Sequence, residues 1–245
     1  MNEDDVDDFD LSVEDATPEQ LTRMARAVLA VPFTDLTTTP VTQLALGWLR
    51  AAHDQILAIA ELTLAGHHSA TAPNARAVAE LAIRIIWLHQ LDNRDAAFPS
   101  LVEQEKRLAE NHVTHSAEMG LTIDIDPLYA NLDLADLGTI DASLNSQARG
   151  IVDAAKAAQH AVGIYQLWRN STQYAHATTR FAGMWAPTRA GKFVDSETPV
   201  NWSQALHLLS ILTCSMTARV LIEEGEEKDR ASEFIAASLS GLRDL

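Results

Sequence analysis

The 245-residue chain is poor in the residues that interrupt helices, and it has almost no cysteine. It contains 10 glycines, 8 prolines and one cysteine. With few helix breakers and with alanine and leucine as its most prominent residues, the chain favours helix along its whole length. The single Cys214 cannot form an intrachain disulfide, and its apolar surroundings, LHLLSILTCSMTARVLI, are typical of a small buried hydrophobe.

Two longer patterns are also missing from the sequence. No run of alternating apolar and polar residues is long enough to predict a strand. No stretch of about 18 apolar residues is present that would span a bilayer. The first ten residues, MNEDDVDDFD, are too acidic for a signal peptide. These absences predict an all-α, soluble, cytoplasmic protein that does not enter a membrane.

Charge of one sign is missing from two regions. Residues 1–20 contain nine acids and no base, so residues 1–16 are predicted to form a disordered acidic tail. Residues 154–194, the acid-free segment, have a formal charge of +5, whereas the whole chain has −16. The five bases of the acid-free segment are Lys156, Arg169, Arg180, Arg189 and Lys192.

Start and stop signals divide the rest of the chain into helices. Thr17-Pro18 and Thr39-Pro40 each combine an N-cap threonine with a proline in the first helical position. Together with glycines and prolines that end helical patterns, they predict a single bundle of six to eight helices over residues 17–245. The predicted helices cover about 18–31, 40–66, 73–91, 95–118, 142–178, with possible breaks at Gly150 and Gly163, and 199–224, followed by a last helix.

The helix predicted over residues 73–91 carries a stripe of charge. Arg76, Glu80 and Arg84 are spaced i, i+4 and i+8, which places them on one face. The neighbouring residues are apolar nearly all round, so this helix is predicted to be central. Buried charges are costly unless they are paired. The stripe is therefore either a structural ladder in which Glu80 bridges two arginines, or a cationic pocket that holds an anion.

The segment WRNSTQYAHATTR, residues 168–180, collects several polar residues. On a continuous helix, Tyr165, Arg169, Gln173, His176 and Arg180 share one face, with Arg169 and His176 roughly 10 Å apart along the axis. Histidine acts as a general acid or base, and arginine stabilises charge that develops on phosphate. The sequence therefore suggests Arg169 and His176 as catalytic residues.

Arg169-Asn170 is followed by His176, with six residues between Arg169 and His176. This pattern resembles the RN-x4-6-H signature of the HEPN superfamily. That superfamily consists of small helical bundles, many of them metal-independent ribonucleases of toxin and defence systems. The resemblance implies that Arg169, Asn170 and His176 act on RNA, and that Glu80 supplies the additional polar residue from an earlier helix. It also implies a homodimer that needs no metal and no cofactor.

A second resemblance covers about residues 40–225. The pairing of RAVAELAIRIIWLH with a downstream Tyr-Gln-Leu-Trp…Ser…His helix resembles a family of bacterial helical proteins of unknown function. Members of that family have an Arg-x3-Glu helix and a Tyr…Ser…His segment. This resemblance implies a helical fold and no assigned activity.

The stretch FAGMWAPTRAGKF, residues 181–193, combines three aromatic residues and two bases with glycine and proline. Such a loop can stack a base and contact phosphate, or it can pack Trp185 against the core. The binding residues predicted around the catalytic pair are Arg76, Arg84, Tyr165, Tyr174, Arg180, Trp185, Arg189 and Lys192.

No convincing set of metal ligands is present. His112 and His115 lie among acids in EKRLAENHVTHSAE, which is typical of a solvated helix face. Two alternatives to a ribonuclease stay open at this point. One is a non-enzymatic interaction or structural module, and the other is a small-anion binder that uses Arg76, Arg84 and Arg169.

Overall fold

The computed structural model describes residues 16–124, 142–159, 161–176, 179–194 and 202–241. These residues form an α-helical protein with one very small sheet, so the all-α prediction is confirmed. The predicted acidic tail lies outside the described residues except for Ala16, which is only 4% exposed and belongs to the core. The α-helices are α1 (Pro18–Ala30), α2 (Pro40–Leu64), α3 (Ala72–Gln90), α4 (Ala97–Glu118), α5 (Ala142–Arg149), α6 (Ile151–Ala157), α7 (Val162–Ala175), α8 (Thr179–Trp185), α9 (Ser203–Glu223) and α10 (Lys228–Ser240).

The first two helices begin at the predicted signals. Thr17 accepts a hydrogen bond from the backbone N–H of Gln20, and the Gln20 side chain accepts one from the Thr17 N–H. Thr39 and Thr42 make the same reciprocal pair at the start of α2. Each pair satisfies N–H groups that the first helical turn leaves without partners, and Pro18 and Pro40 lack such a group altogether.

Helix α3 lies at the centre of the bundle, as its apolar composition predicts. It packs against α2, α7 and α9 and also touches α6. Ile83 and Ile85 are both fully buried, although a spacing of two positions places them on opposite sides of the helix. A second part of the core, around Phe234 of α10, joins α1, α2, α9 and α10. The last helix also ends close to α1, because a Cβ atom at Gly241 would come within 2.7 Å of the Met24 backbone nitrogen.

Helices α3 and α7 are antiparallel. The Gln90 side chain, at the end of α3, accepts a hydrogen bond of 2.6 Å from the backbone N–H of Gln159, just before α7. Nearer the middle of both helices, Trp168 donates from Nε1 to Glu80. The C-terminus of α7 and His176 therefore lie beside the N-terminus of α3.

Helices α1, α2 and α3 also alternate in direction. Arg26 of α1 pairs with Glu61 of α2, and Arg50 of α2 donates to the Leu29 carbonyl, so these two helices are antiparallel. The short connection from Leu64 to Ala72 reverses the chain again. The N-terminus of α1, the N-terminus of α3 and the C-terminus of α7 consequently lie at one end of the bundle, the His176 end.

The region predicted as one helical stretch over residues 142–178 is three helices. The break at Gly150 is confirmed, but Gly163 lies in the first turn of α7, and the second break falls just before that helix. Helix α7 ends at Ala175, because His176 has extended backbone angles of φ −122° and ψ 159°. No glycine or proline lies just before α7 or just after it to mark these two boundaries. With α8 inside the predicted loop, these divisions give ten helices among the described residues, against the six to eight predicted.

The same loop contains a two-stranded antiparallel sheet that the alternation pattern did not reveal. Its strands, β1 (Thr188–Arg189) and β2 (Lys192–Phe193), have only two residues each, which is too short for a detectable period of two. The start signal at Thr198-Pro199 falls outside the described residues, and α9 is described from Ser203 onward.

Among the helices that the structure describes, one is apolar enough to qualify as a membrane span by length and composition, contrary to the sequence-based expectation. This is Ala205–Glu223 of α9, with a mean hydropathy of 1.6 in its most apolar window. More than half of that window, 56%, is buried inside the bundle. Such burial is consistent with the core helix of a soluble protein.

Candidate functional site

The charged stripe of α3 is paired across helices, but Glu80 does not bridge two arginines through short hydrogen bonds. Glu80 accepts a 3.0 Å hydrogen bond from the Trp168 indole of α7, and the Arg76 guanidinium lies 3.9 Å away. Arg76 also lies over the Trp168 ring, 5.3 Å from its centroid. The Glu80 side chain remains 40% exposed, so one side of it contacts α7 and the other faces solvent.

Arg84 is the most enclosed member of the stripe. Its two terminal nitrogens donate to the carbonyls of Gln147 and Ala148 at 2.8 and 2.7 Å. These carbonyls lie in the last turn of α5, which has no intrahelical donors for them, and positive charge is favourable at that end of a helix. Burial lowers the pKa of the Arg84 guanidinium, and the carboxylate of Glu80 opposes that effect.

A cavity of about 460 Å³ opens beside this part of the stripe. Glu80, Leu81 and Arg84 form one wall of it on α3. The wall opposite belongs to α4, and the end of α5 closes a third side. The remaining lining residues are Trp48, Leu101, Gln104, Glu105, Arg107, Leu108, Asn111, Ala148 and Arg149.

The cavity exists because α4 diverges from α3. Helix α4 packs against α5 and touches α2, but it makes few contacts with α3. Gln104, which is 7% exposed, donates to Asn145 of α5, and Asn145 in turn donates to Glu103 at 3.1 Å. These bonds fix α4 on α5 and leave the wedge between α3 and α4 open.

The charges in the cavity are mixed, with three guanidinium groups and two carboxylates. Arg84 is held in place by α5, whereas Arg107 and Arg149 are exposed at the rim. Each terminal nitrogen of Arg84 donates one hydrogen bond to a carbonyl, so three of the five N–H groups of the guanidinium remain for a ligand. The lining can therefore bind an anionic group through its guanidinium groups and a donor group through the Glu80 carboxylate.

The predicted catalytic residues of α7 do not form the face that the sequence suggested. Arg169 and Asn170 are exposed on α7, but His176 follows the last helical residue, so the helical spacing does not apply to it. His176 is exposed as well. Glu80 bonds to Trp168 and has no contact with this group. The prediction of one continuous helical face through Arg180 is wrong, since Arg180 belongs to the separate helix α8.

The predicted binding residues do not form one group. Tyr165 stacks on Trp168 with ring centroids 5.6 Å apart, beside Arg76 and Glu80. Tyr174 makes an edge contact with Trp202 at 6.4 Å, which connects α7 to the start of α9. The other members, Trp185, Arg189 and Lys192, are exposed on α8 and the hairpin, and the side chain of Arg180 lies outside the described part.

A second polar cluster, formed by His53, Ser210 and Cys214, is closed inside the core between α2 and α9. His53 is fully buried, its Nδ1 lies 2.8 Å from the Leu49 carbonyl, and its Nε2 lies 2.8 Å from the Ser210 hydroxyl. The carbonyl can only accept, so Nδ1 carries the proton and Nε2 accepts from Ser210. Cys214 lies 3.7 Å from the same nitrogen.

Both titratable members of this buried cluster are held neutral. Burial lowers the pKa of His53 to about 4 and raises the pKa of Cys214 to about 12. A neutral thiol beside a neutral imidazole, with no access for a substrate, is inert. The expectation of a small buried hydrophobe at Cys214 is confirmed, and its sulfur lies in contact with the nitrogen that Ser210 already occupies.

Sequence reasoning missed most of the cavity. Leu101, Gln104, Glu105, Leu108 and Asn111 follow steps of three and four, so they share one face of α4. The mixture of leucines with amides on that face was a signal that it is not simply solvated. Arg149 had no comparable signal, because its position at the cavity depends on how α5 packs.

Among the described residues, no group of three or more His, Cys, Asp or Glu side chains could hold a metal ion. Comparisons of the chain with protein-family models, with curated proteins and with solved structures found no match.

Proposed function

We propose that this protein is a helical binding module that holds a small organic anion in the cavity between α3, α4 and α5. One observation carries the proposal: the cavity between α3, α4 and α5 is lined by Arg84, Arg107 and Arg149, which come from three different helices. Its volume of about 460 Å³ falls within the usual range of small-molecule sites, roughly 300 to 1,000 Å³.

The lining also indicates what kind of anion fits. Leu81, Leu101 and Leu108 supply an apolar surface, and Glu80, which is 40% exposed, supplies an acceptor. A bare inorganic ion would leave this apolar surface in contact with water. The best match is a small molecule with a phosphate or carboxylate at one end and an amino or hydroxyl group at the other.

Arg84 is suited to bind without rearrangement. Its guanidinium is held by two carbonyls and lies over the Trp87 ring, 5.5 Å from the centroid, so its conformation is fixed before a ligand arrives. Pre-organisation of this kind reduces the entropy that binding costs. Arg107 and Arg149, which are exposed, then close on the anionic group from the rim.

A thermal-denaturation panel at constant ionic strength tests the proposal. The ligands are inorganic phosphate, pyrophosphate, citrate and O-phosphoethanolamine. A ligand at 100 times its dissociation constant stabilises the folded state by about 2.7 kcal/mol, which raises the melting temperature of a protein of this size by roughly 5 to 10 °C.

Matched variants decide whether any shift comes from the cavity. Arg107→Gln combined with Arg149→Gln removes two rim charges, and the shift is expected to fall by more than half. Arg26→Gln removes an exposed arginine that pairs with Glu61 elsewhere, and the shift is expected to persist. Equal shifts in both variants, or no shift with any anion, would contradict the proposal.

A second candidate function, a metal-independent ribonuclease, is favoured by one observation. Arg169, Asn170 and His176 are all exposed near the end of α7, inside the acid-free segment. As in HEPN-type enzymes, His176 would transfer the proton of the attacking 2′-hydroxyl, Arg169 would stabilise the phosphoryl oxygens, and Asn170 would orient one of them. This candidate also requires a cytoplasmic homodimer, in which two copies complete the site.

Cleavage of single-stranded RNA in the presence of EDTA tests this second candidate. The expected products carry 2′,3′-cyclic phosphate ends. His176→Ala is expected to abolish cleavage, whereas His112→Ala, which removes an exposed histidine of α4, is expected to leave it unchanged. Intact RNA with the wild-type protein, or equal cleavage by the two variants, would refute a ribonuclease at this position.

A further inference from the structure

The β1–β2 hairpin has a turn that is unfavourable for its sequence. Both central residues, Ala190 and Gly191, have positive φ angles of 51° and 75°. A two-residue turn of this type is usually built from glycine, asparagine or aspartate, because a Cβ atom is strained in the left-handed region. The hairpin nevertheless forms, with the Val194 N–H donating to the Pro187 carbonyl at 2.9 Å.

The hairpin also places like charges opposite each other. Arg189 and Lys192 are direct cross-strand partners, an arrangement that destabilises an isolated hairpin. Both are exposed, and neither has an ion pair or a hydrogen bond within the described ranges. Beside them Phe193 is 79% exposed. The hairpin therefore presents two uncompensated positive charges next to an apolar surface.

A strongly acidic part of the same chain begins at the same end of the bundle. Residues 1–15, here called the acidic segment, contain eight acids and no base. This segment joins the fold at Ala16, at the start of α1 and thus at the His176 end. The hairpin follows α8, which begins three residues after His176. Fifteen extended residues reach up to about 50 Å, enough to cross a domain of this size.

The composition of the acidic segment matches the hairpin in a second respect. Val6, Phe9 and Leu11 are interspersed among its carboxylates. Carboxylates can neutralise Arg189 and Lys192 while an apolar side chain covers Phe193. A tethered ligand also has an effective concentration in the millimolar range, so a weak contact is sufficient.

We propose that the acidic segment binds the β1–β2 hairpin of its own chain, with its carboxylates against Arg189 and Lys192. Binding would occupy the surface that an anionic partner such as RNA would otherwise contact. The contact lies outside the core, so it adds little to the stability of the helical bundle.

A paramagnetic label on the full-length chain tests this contact. Asn2→Cys introduces a labelling position, and the native Cys214 does not compete, because it is fully buried. In 0.01 M salt, a nitroxide at position 2 is expected to broaden the amide resonances of residues 188–194 at least twofold more than those of α4. In 1 M salt the Debye length falls from about 30 Å to about 3 Å, and the difference should disappear.

Two variants separate the proposed contact from general attraction. Arg189→Gln combined with Lys192→Gln is expected to abolish the broadening at low salt. Lys156→Gln is the control, because Lys156 belongs to the acid-free segment but pairs with Asp153 at 3.6 Å. The control is expected to keep the broadening.

Three results would overturn the proposal. One is equal broadening of the hairpin and α4 at low salt. Another is the same broadening in a mixture of nitroxide-labelled protein without isotope and isotope-labelled protein without nitroxide, which would assign the contact to a second molecule. The third is that the nitroxide leaves the hairpin resonances unbroadened, whereas an oligouridylate shifts them. That result would assign the hairpin surface to nucleic-acid binding.

Discussion

Two polar clusters of this protein differ in how completely their hydrogen bonds are satisfied. In the core, His53 meets Leu49 on one ring nitrogen and Ser210 on the other, and no part of it contacts solvent. In the cavity, Arg84 satisfies two carbonyls and still has donors left, and the neighbouring Arg107 and Arg149 are open to solvent. The first cluster is complete without a ligand, whereas the second has capacity for one.

This difference assigns a role to each cluster. A closed and satisfied polar network stabilises and orients the helices around it, because breaking it leaves buried groups unpaired. The three arginines of the open cavity gain little from the fold and a great deal from a bound anion. Substitution of His53 should therefore lower the stability of the fold. Substitution of Arg149 should weaken anion binding and leave the stability nearly unchanged.

The largest effect is expected for His53→Ala. The substitution leaves a cavity in the core and removes the hydrogen-bond partner of Ser210, which together cost about 4 kcal/mol of unfolding free energy. Urea denaturation measures the loss. A cost below about 1 kcal/mol would show that the buried cluster is not a structural element.

The pH dependence of stability follows from the same histidine. The pKa of His53 is about 4 in the folded protein and 6.5 in the unfolded chain, so between these values the unfolded state binds more protons. Its contribution is fully present above pH 6.5 and is lost as the pH falls towards 4. The total loss is about 3 kcal/mol.

Denaturation of wild type and His53→Gln across this pH range measures the contribution of His53. The glutamine keeps hydrogen-bonding groups but does not titrate, so the wild type should lose more stability than the variant by about 3 kcal/mol. Parallel curves for the two proteins would contradict the shifted pKa.

A smaller loss of unfolding free energy is expected for Glu80→Ala, because Glu80 contacts α7 on one side and faces solvent on the other. The variant loses the hydrogen bond from Trp168, but Arg76 is about one-third exposed and Arg84 keeps its two carbonyls. The expected cost is about 1 kcal/mol. Glu80→Gln, which can still accept from the indole, is the control and should cost less. A loss of several kcal/mol with alanine would mean that Glu80 supports both arginines.

The smallest effect on stability is expected for Arg149→Gln. Arg149 is exposed and has no ion pair in the described part of the chain, so unfolding free energy should change by less than about 0.5 kcal/mol. Anion binding should nevertheless weaken at least tenfold. A destabilised Arg149→Gln would remove the distinction between the closed and the open cluster.

Local signals predicted the helical fold well. The caps at Thr17 and Thr39 and the all-round apolar composition of α3 depend on residues within a few positions, and the structure confirms them. The end of α7 at Ala175 had no glycine or proline to mark it, so the proposed face of Arg169 and His176 extended too far.

The sites were predicted less completely because they depend on tertiary packing. Local spacing identified Arg76, Glu80 and Arg84 as a stripe and left open whether it is a ladder or a pocket. It could not bring Arg107 of α4 and Arg149 of α5 to the same place, since that depends on the divergence of α4 from α3. His53 had no partner within the local sequence, and Ser210 is 157 positions away.

The most direct test of the difference between the clusters is a titration of the full-length protein with O-phosphoethanolamine, followed through the Nε–H resonances of its arginines. Saturable shifts are predicted for Arg84, Arg107 and Arg149, which line the cavity. The resonance of Arg26, which pairs with Glu61 outside it, should not move. Equal, non-saturating shifts of all four arginines, or no shift of the three cavity arginines, would contradict a binding site at this place.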